Sequence, residues 1–466
     1  MSTAHRDLLT EESFESLADR QLANPFLRQA VPKATDHTVG TMRALFDGHD
    51  REALRDRGAA IRDEVIADLD GMVDRLAAAS EAQGIVVHRA ADAAAAREIV
   101  RGIIRDAGGR TVVKSKSMLS EEIELNPALE ADGVRVVETD LGEYVVQVSG
   151  DRPSHVIAPI IHLPKEQVRQ SLSAVAGREL PPEAEELTAF ARAELREDFL
   201  RADVGITGVN FGIAETGTAV LVTNEGNARM TTSLPPVHIA LMGIERILPR
   251  LDDLAVMLPL LTGHGTGQQI SCYVTMINGP RREGEPDGPE AQHLVLVDNG
   301  RSALARSEYA EVLRCIRCGA CQNICPVYRQ VGGHAYGWVY GGPIGAVLTP
   351  LMRGDADGGE LAHASSLCGA CDDICPVKIP LHDLLVKLRR RRAEGDSAPR
   401  GERIAFALWS RVWSVPVLYR LSGRLGRVSL LPLARDGRVR RGPGPLGRWT
   451  RGRSLPVPAR RPFHRR

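Results

Sequence analysis

Seven of the eight cysteines fall between residues 315 and 375, in two related runs. The first, "CIRCGACQNICPV" (315–327), spaces its cysteines C-x2-C-x2-C-x3-C and closes with a proline. The second, "SSLCGACDDICPV" (365–377), repeats the last three positions and has Ser365 at the first. Thiols this dense fix what the chain around them must do. Three thiolates at 315, 318 and 321 can wrap one compact iron–sulfur cluster. A fourth, held off by one more residue and turned by Pro326, reaches the other cluster of a two-cluster site. The same logic sends Cys375, before Pro376, to the first cluster. The reading is Cys315, Cys318, Cys321 and Cys375 around cluster 1, a 4Fe-4S cluster, and Cys325, Cys368 and Cys371 around cluster 2. Cluster 2 is one thiolate short. It is either 4Fe-4S with a non-cysteine fourth ligand (Ser365, Asp372, water or substrate) or 3Fe-4S. A zinc ribbon pairs C-x2-C knuckles around four ligands and leaves the extra thiols and both Cys-Pro pairs unexplained. Cys272, in "QISCYVTMI", reads as a core cysteine and otherwise as a remote source of the missing thiolate. The two runs must fold against each other, so metal binding supplies folding energy to this region.

The N-terminus, "MSTAHRDLLTEESFESLADR", has neither the basic n-region nor the apolar h-region of a signal peptide. No run of ~18 apolar residues occurs, so no transmembrane helix is expected. Clustered cysteines without an export signal point to a metal site in a reducing compartment, and the expected location is cytoplasmic. Formal net charge is zero, yet residues 401–466 carry 16 Lys+Arg against 2 Asp+Glu, a net of +14 on an otherwise acidic body. A basic appendage suits a protein partner, an anionic membrane face or nucleic acid. No DNA-binding motif is recognisable, and no nucleic acid is expected. Three of the four tryptophans lie in this tail, and Trp409 and Trp413, at i and i+4, share a helix face. Peripheral contact with the inner membrane face is one expectation for it.

Periodicity divides the chain. Residues 1–84 read as a helical region, with apolar residues at three- and four-residue spacing and Gly84 as a stop. Over 85–300, short β-branched runs closed by Gly, Asn or Asp alternate with helical stretches. "GIVVHRA", "GRTVVKSK", "GVRVVETD", "GEYVVQVS", "SHVIAPIIH", "TAVLVTNEG", "ISCYVTMING" and "HLVLVDNG" are the expected strands. Residues 90–107, 165–203 and 236–262 are the expected helices. The pattern predicts an α/β fold with a largely parallel sheet. Residues 301–392 read as a helical ferredoxin-like iron–sulfur domain, and 403–466 as the basic C-terminal region.

The chain resembles the lactate utilisation protein B family over nearly its full length. The resemblance rests on "KSKSMLSEEIELN" (114–126), "ETDLGEYVVQ" (138–147), "PSHVIAPIIH" (153–162), "ADVGITGVNFGIAETGTAVLVTNEGNARM" (202–230), "PPVHIALMGIER" (235–246), "VDNGRS" (297–302), both cysteine runs and "PLGRWTRGRSLPVPARRPF" (445–463). It implies an N-terminal LUD domain similar to the sugar-isomerase and CoA-transferase group, a helical-ferredoxin domain and a family-specific tail. It further implies oxidation of L-lactate to pyruvate within a three-protein system, this member carrying electrons through two clusters, the second with three cysteine ligands. The expected electron acceptor is a quinone or a carrier protein.

A lactate carboxylate needs a cationic partner, and its hydroxyl proton needs a base. Lys114 and Lys116 leave a strand end, where α/β sheets place ligands, and Glu225 and Arg229 occupy a similar place. These four form the candidate anion or substrate site. His155, His162 and His238 are candidate bases, though a hydrogen-bonded structural histidine is the commoner case. "GHGTGQ" (263–268) is a candidate anion-cradling loop. There is no G-x-G-x-x-G, no P-loop and no flavin signature. Two-electron oxidation usually begins with hydride transfer to an organic cofactor, so clusters alone suit electron relay. The rival readings are a LUD-domain acyl-transfer or isomerase-type enzyme with Glu225 as nucleophile, and an iron–sulfur redox sensor.

Overall fold

Apolar spacing builds the first elements. In α2 (Leu27–Leu45) the buried residues Leu27, Val31, Thr35, Val39 and Met42 recur every three or four positions and form one stripe, as in the preceding α1 (Phe14–Leu22). Asp50 caps α3 (Arg51–Ala67) by accepting the Ala53 N–H at 2.9 Å, and Asp68 caps α4 (Leu69–Glu81) through the Gly71 N–H. The computed structural model describes residues 12–395, 400–451, 453–457 and 459. They fall into two units, Met1–Arg390 and Arg391–Arg466.

The first unit is α/β. Its strands are β1 (Val86–Ala90), β2 (Thr111–Lys114), β3 (Arg135–Glu138), β4 (Val204–Gly208), β5 (Phe211–Ile213), β6 (Thr218–Thr223), β7 (Val237–Gly243), β8 (Ile247–Leu248), β9 (Tyr273–Ile277) and β10 (Ala291–Val297). Six of them form a parallel sheet in the order β1-β10-β7-β4-β2-β3. The central strands are almost wholly buried on both faces, as in a parallel sheet covered on both sides. A smaller sheet, β8-β5-β6-β9, sits beside it, with β6 antiparallel to both β5 and β9. One continuous core joins α1, α2 and α3 to this small sheet, the helix Leu254–Thr266 and the cysteine-bearing segment.

Several expected elements differ. "GEYVVQVS" is helical (Leu141–Ser149): Asp140 accepts the Gly142 and Glu143 N–H groups and Gly150 ends the helix in the left-handed region. Local capping outweighs the β-branched composition. "SHVIAPIIH" is irregular, folded back by a Ser154 N–H bond to the Pro159 carbonyl at 2.9 Å. Residues 237–243 form β7 instead of a helix, and the helix there begins only at Leu254. A short apolar run without periodicity cannot distinguish a buried strand from a buried helix. Cys272 is exposed just before β9 and is no core residue.

In the second unit, helices Arg400–Ser414 and Pro416–Leu430 are followed by a strand pair, Arg438–Val439 with Leu455–Pro456. Phe406, Trp409, Trp413 and Tyr419 contact one another in turn, Phe406–Trp409 and Trp413–Tyr419 edge to face and Trp409 tilted on Trp413 at 5.1 Å between ring centroids. Among the described residues no helix is long and apolar enough to cross a membrane.

Candidate metal centre and adjoining cavity

The two cysteine runs fold as copies of one cradle. Arg317 and Gly319 take φ of 60° and 76°, and Leu367 and Gly369, the matching residues, take 54° and 78°. These left-handed turns deliver the chain into two short helices, Ala320–Ile324 and Ala370–Ile374. Cys325 and Cys375 leave those helices with extended backbone. Main-chain N–H groups point at the sulfurs: Tyr328 at Cys325 Sγ (3.5 Å) and Ile379 at Cys375 Sγ (3.4 Å). The Arg317 N–H donates to Cys315 Sγ at 3.5 Å, and the Leu367 N–H donates to Ser365 Oγ at 3.1 Å.

Cys315, Cys318, Cys321 and Cys375 line one small cavity, walled by apolar groups such as Val156, Ile344, Val377 and Leu381. Burial pushes the Cys318 and Cys321 thiols well up and the Cys375 thiol to about 11. Cys325 and Cys371 are raised too, first by burial, then with contributions from Cys368 on Cys325 and from Asp372 and Cys325 on Cys371. Cys368 itself is exposed. Soft sulfur donors in an apolar pocket, with N–H groups aimed at them, fit thiolate-ligated clusters. Asp372 Oδ1 stands 3.4 Å from Cys371 Sγ, and the same carboxylate accepts from the ring and from the backbone N–H of His382, where the helix Leu381–Glu394 begins.

Helix α3 fastens the second run and the segment that leads into the first. Arg55 donates to the carbonyls of Cys375 and Asp372, each at 2.8 Å, and Arg51 to that of Ile374 at 3.3 Å. Arg62, fully buried, donates to the carbonyls of Leu313 (3.0 Å), Ile247 (2.7 Å) and Glu245. Gly265 lets the helix Leu254–Thr266 close on the first run, because a Cβ there would stand 3.1 Å from the Cys318 carbonyl oxygen.

Beside the first cradle lies a cavity of about 290 Å³ at the C-terminal ends of β2, β4 and β7, where parallel sheets place ligands. Arg317 and Tyr340 line both this cavity and the cysteine cavity. A buried ion network forms its floor. Arg301 donates twice to Glu122 at 2.8 Å and once to Glu245 at 2.5 Å, and the Tyr340 hydroxyl donates to Glu122 at 2.5 Å. Arg317 stacks on Tyr340, 4.3 Å from the ring centroid, with Nη2 3.5 Å from Glu245. Arg246 donates to the carbonyls of Cys315 and Asn210, both at 2.9 Å.

Three family models match consecutive parts of the chain. They are the LUD domain (residues 73–297), a 4Fe-4S dicluster domain (311–379) and the C-terminal region of lactate utilisation protein B (388–466). Proteins called lactate utilization protein B are similar over almost their full length. The Bacillus licheniformis protein is 45% identical over 97% of this chain and 95% of its own, and the Bacillus subtilis protein 44% over 97% and 95%. That of Geobacillus kaustophilus is 46% identical over 95% of this chain and 94% of its own. This chain belongs to the lactate utilization protein B family. A solved DUF162 family protein from Deinococcus radiodurans is 14% identical, with a TM-score of 0.29, covering 49% of this chain and 98% of that one.

In this chain, the residues singled out as a candidate anion site separate. Lys116 and Glu225 line the large cavity; Lys114 and Arg229 do not. Lys114 is fully buried, donating to Ser120 at 2.8 Å with Glu138 Oε1 also at 2.8 Å. Burial would lower its pKa, but the Glu138 and Glu121 carboxylates outweigh this and hold it above the ordinary range. It is a structural ion pair. Arg229 is exposed and lies over the Tyr273 ring. Burial and the Asp140 carboxylate push the Glu225 carboxyl up.

None of the three histidines lines the cavity. His155 accepts the Ile157 and Ala158 N–H groups through Nδ1, which leaves Nε2 to donate to Asn323 at 3.1 Å. His162 bonds Asp151 at 2.8 Å and His238 bonds Thr207 at 2.9 Å. Burial holds His155 down to about 4 and His238 to about 3. "GHGTGQ" is the C-terminal end of a helix and the turn that follows, so it forms no loop of N–H donors for an anion. The residues missed are Glu122, Glu245, Arg246, Arg301, Arg317 and Tyr340. Five of the six stand inside segments that carry the family resemblance, which was the available signal.

Proposed function

We propose that this chain is the electron-carrying member of a lactate utilization system that oxidises L-lactate to pyruvate together with partner subunits. The observation that carries the reading is the duplicated cysteine cradle, beside a cavity that shares Arg317 and Tyr340 with it. In this reading Cys315, Cys318, Cys321 and Cys375 hold a 4Fe-4S cluster. Cys325, Cys368 and Cys371 hold a second, either 4Fe-4S with an oxygen ligand or 3Fe-4S. Each cluster, when bound, supplies one-electron transfer.

Lactate gives up two electrons and two protons in becoming pyruvate. The electrons pass on to a quinone or a carrier protein. Arg51, Arg55 and Arg62 fix the loops that carry the thiols, and Arg246 and Arg317 place positive charge beside Cys315. The exposure of Cys368 makes the second site the exit towards a partner. The arginine-rich, tryptophan-bearing second unit docks a partner subunit or the inner membrane face, in keeping with its charge.

The test is lactate oxidation by the assembled subunits with Cys315→Ser or Cys371→Ser in this chain. Loss of turnover is expected, and undiminished turnover in both variants would overturn the reading. Glu225→Ala with unchanged turnover separates electron transfer from an acyl-transfer chemistry built on Glu225.

A further inference from the structure

The large cavity has a chemical specificity of its own. Three of its lining side chains have buried polar atoms with no hydrogen-bond partner: Lys116 Nζ, Arg317 Nη1 and Asn227 Oδ1. The nearest carboxylates to the two cations, Glu143 at Lys116 and Glu245 at Arg317, each stand 3.5 Å away. Each cation thus has an ion-pair partner but keeps an atom without a hydrogen bond, and a carboxylate ligand at hydrogen-bond distance would satisfy it.

The orphan on Asn227 is the acceptor end of its amide, and the hydrogen-bond network fixes this orientation. Thr139 donates its hydroxyl proton to the Lys114 carbonyl at 2.9 Å, so towards Asn227 it can only accept. The Asn227 atom 3.4 Å from that hydroxyl is therefore the NH2 group, and Oδ1 is left over. Asn227 is 5% exposed. Two cationic donors and one neutral acceptor complement a carboxylate that carries a hydroxyl. A keto acid of the same size has no proton to offer Asn227.

We infer that this cavity binds a short 2-hydroxy-carboxylate, its carboxylate held by Lys116 and Arg317 and its hydroxyl donating to Asn227 Oδ1. The inference rests on the lactate reading for the size of the acid. About 290 Å³ is at or below the low end of ligand pockets, ~300–1,000 Å³, which suits a short acid with water. Apolar groups, among them Met118, Val209, Leu241 and Ile157, complete the wall and suit a methyl group. The bound acid would lie one side chain, Arg317, from the cysteine cavity.

The test is calorimetric titration of sodium L-lactate into the full-length, anaerobically cluster-loaded chain without partner subunits. Pyruvate and acetate are titrated in parallel. Saturable binding of one lactate per chain is expected, with pyruvate and acetate each weaker by about tenfold or more, the scale of one lost hydrogen bond of ~1.4 kcal/mol. Lys116→Met should weaken all three acids by at least about tenfold. Asn227→Ala should weaken lactate alone and erase its advantage over pyruvate. No lactate binding, or acetate binding as tightly as lactate, would overturn the inference. So would an Asn227→Ala variant that keeps the preference. Iron and sulfide counts and the EPR spectrum of the same samples separate this from the wider reading. Clusters that are reduced when lactate and partners are supplied, in a chain that binds no lactate, sink the inference and leave electron transfer standing. Lactate bound by a chain whose clusters never become reduced does the reverse.

Discussion

Ser365 Oγ stands in the second cradle where Cys315 Sγ stands in the first. Each accepts the N–H of the residue two further on, Leu367 at 3.1 Å and Arg317 at 3.5 Å, at the same point of the same left-handed turn. At this turn the second run therefore carries an oxygen where the first carries a sulfur. A hard oxygen ligand holds iron less firmly than a thiolate and shifts its potential.

Replacing that oxygen by sulfur should complete the set. Ser365→Cys is expected to abolish any three-iron EPR signal and bring the iron content to about eight per chain, two four-iron clusters. EPR with iron and sulfide counting reads this directly. An unchanged spectrum and iron count would place residue 365 away from the cluster.

Arg55 ties α3 to the carbonyls of Cys375 and Asp372. Arg55→Ala removes both bonds and leaves these carbonyls only the main-chain N–H groups of Lys378 and Cys375; a hydrogen bond from a charged group contributes about 1.5–3 kcal/mol. The expected result is lower thermal stability and loss of iron from the site that includes Cys375 before the other. Denaturation curves and the two EPR signals measure both effects.

Glu122 and Arg301 form a buried bidentate pair at 2.8 Å. Removing one partner strands the other's charge, so Arg301→Met or Glu122→Gln should each cost about 3–5 kcal/mol in urea unfolding. Burial by itself would raise the Glu122 and Glu245 carboxyls, but the Arg301 guanidinium prevails and holds both below the ordinary range. Folded, these carboxyls bind fewer protons than in the unfolded chain. Their contribution is present above the ordinary carboxylate range, about 4.3, and is lost as pH falls below it. Arg301→Met should flatten that acid limb of the stability profile.

Glu143 behaves oppositely. Burial pushes its carboxyl up to about 8, against the pull of Lys116, and the Glu121 and Glu138 carboxylates add to the rise while Lys114 opposes it. Below that pH the neutral Glu143 leaves Lys116 free to hold a carboxylate ligand. Above it, the ionised Glu143 competes. Lactate affinity should fall as pH rises through about 8, and Glu143→Gln should remove the fall. Calorimetric titrations at pH 7 and pH 9 check it.

The cradle repeat was legible because three cysteine positions and the proline after them recur at the same spacing within one short stretch. The cavity was not, because it is assembled across the sheet. Glu245 follows β7 and Arg301 follows β10; they meet because those strands are neighbours in register, Val297 beside Gly243. β7 itself read as helix, since "VHIALMG" is apolar on both faces and shows no period. Lys114 and Lys116 looked equivalent at a strand end, and only the position of Glu138, the last residue of neighbouring β3, separates a structural ion pair from a cavity-lining cation. The signal that did exist was Arg317 inside "CIRC", an arginine between two thiols that spacing treats as filler.

The most direct test of electron transfer is EPR on the anaerobically reconstituted full-length chain, before and after L-lactate is added with the partner subunits. The expected result is two distinct cluster signals that appear in the reduced state as pyruvate forms. Pyruvate formation while both clusters stay oxidised, or metal analysis that finds zinc in place of iron, would contradict it.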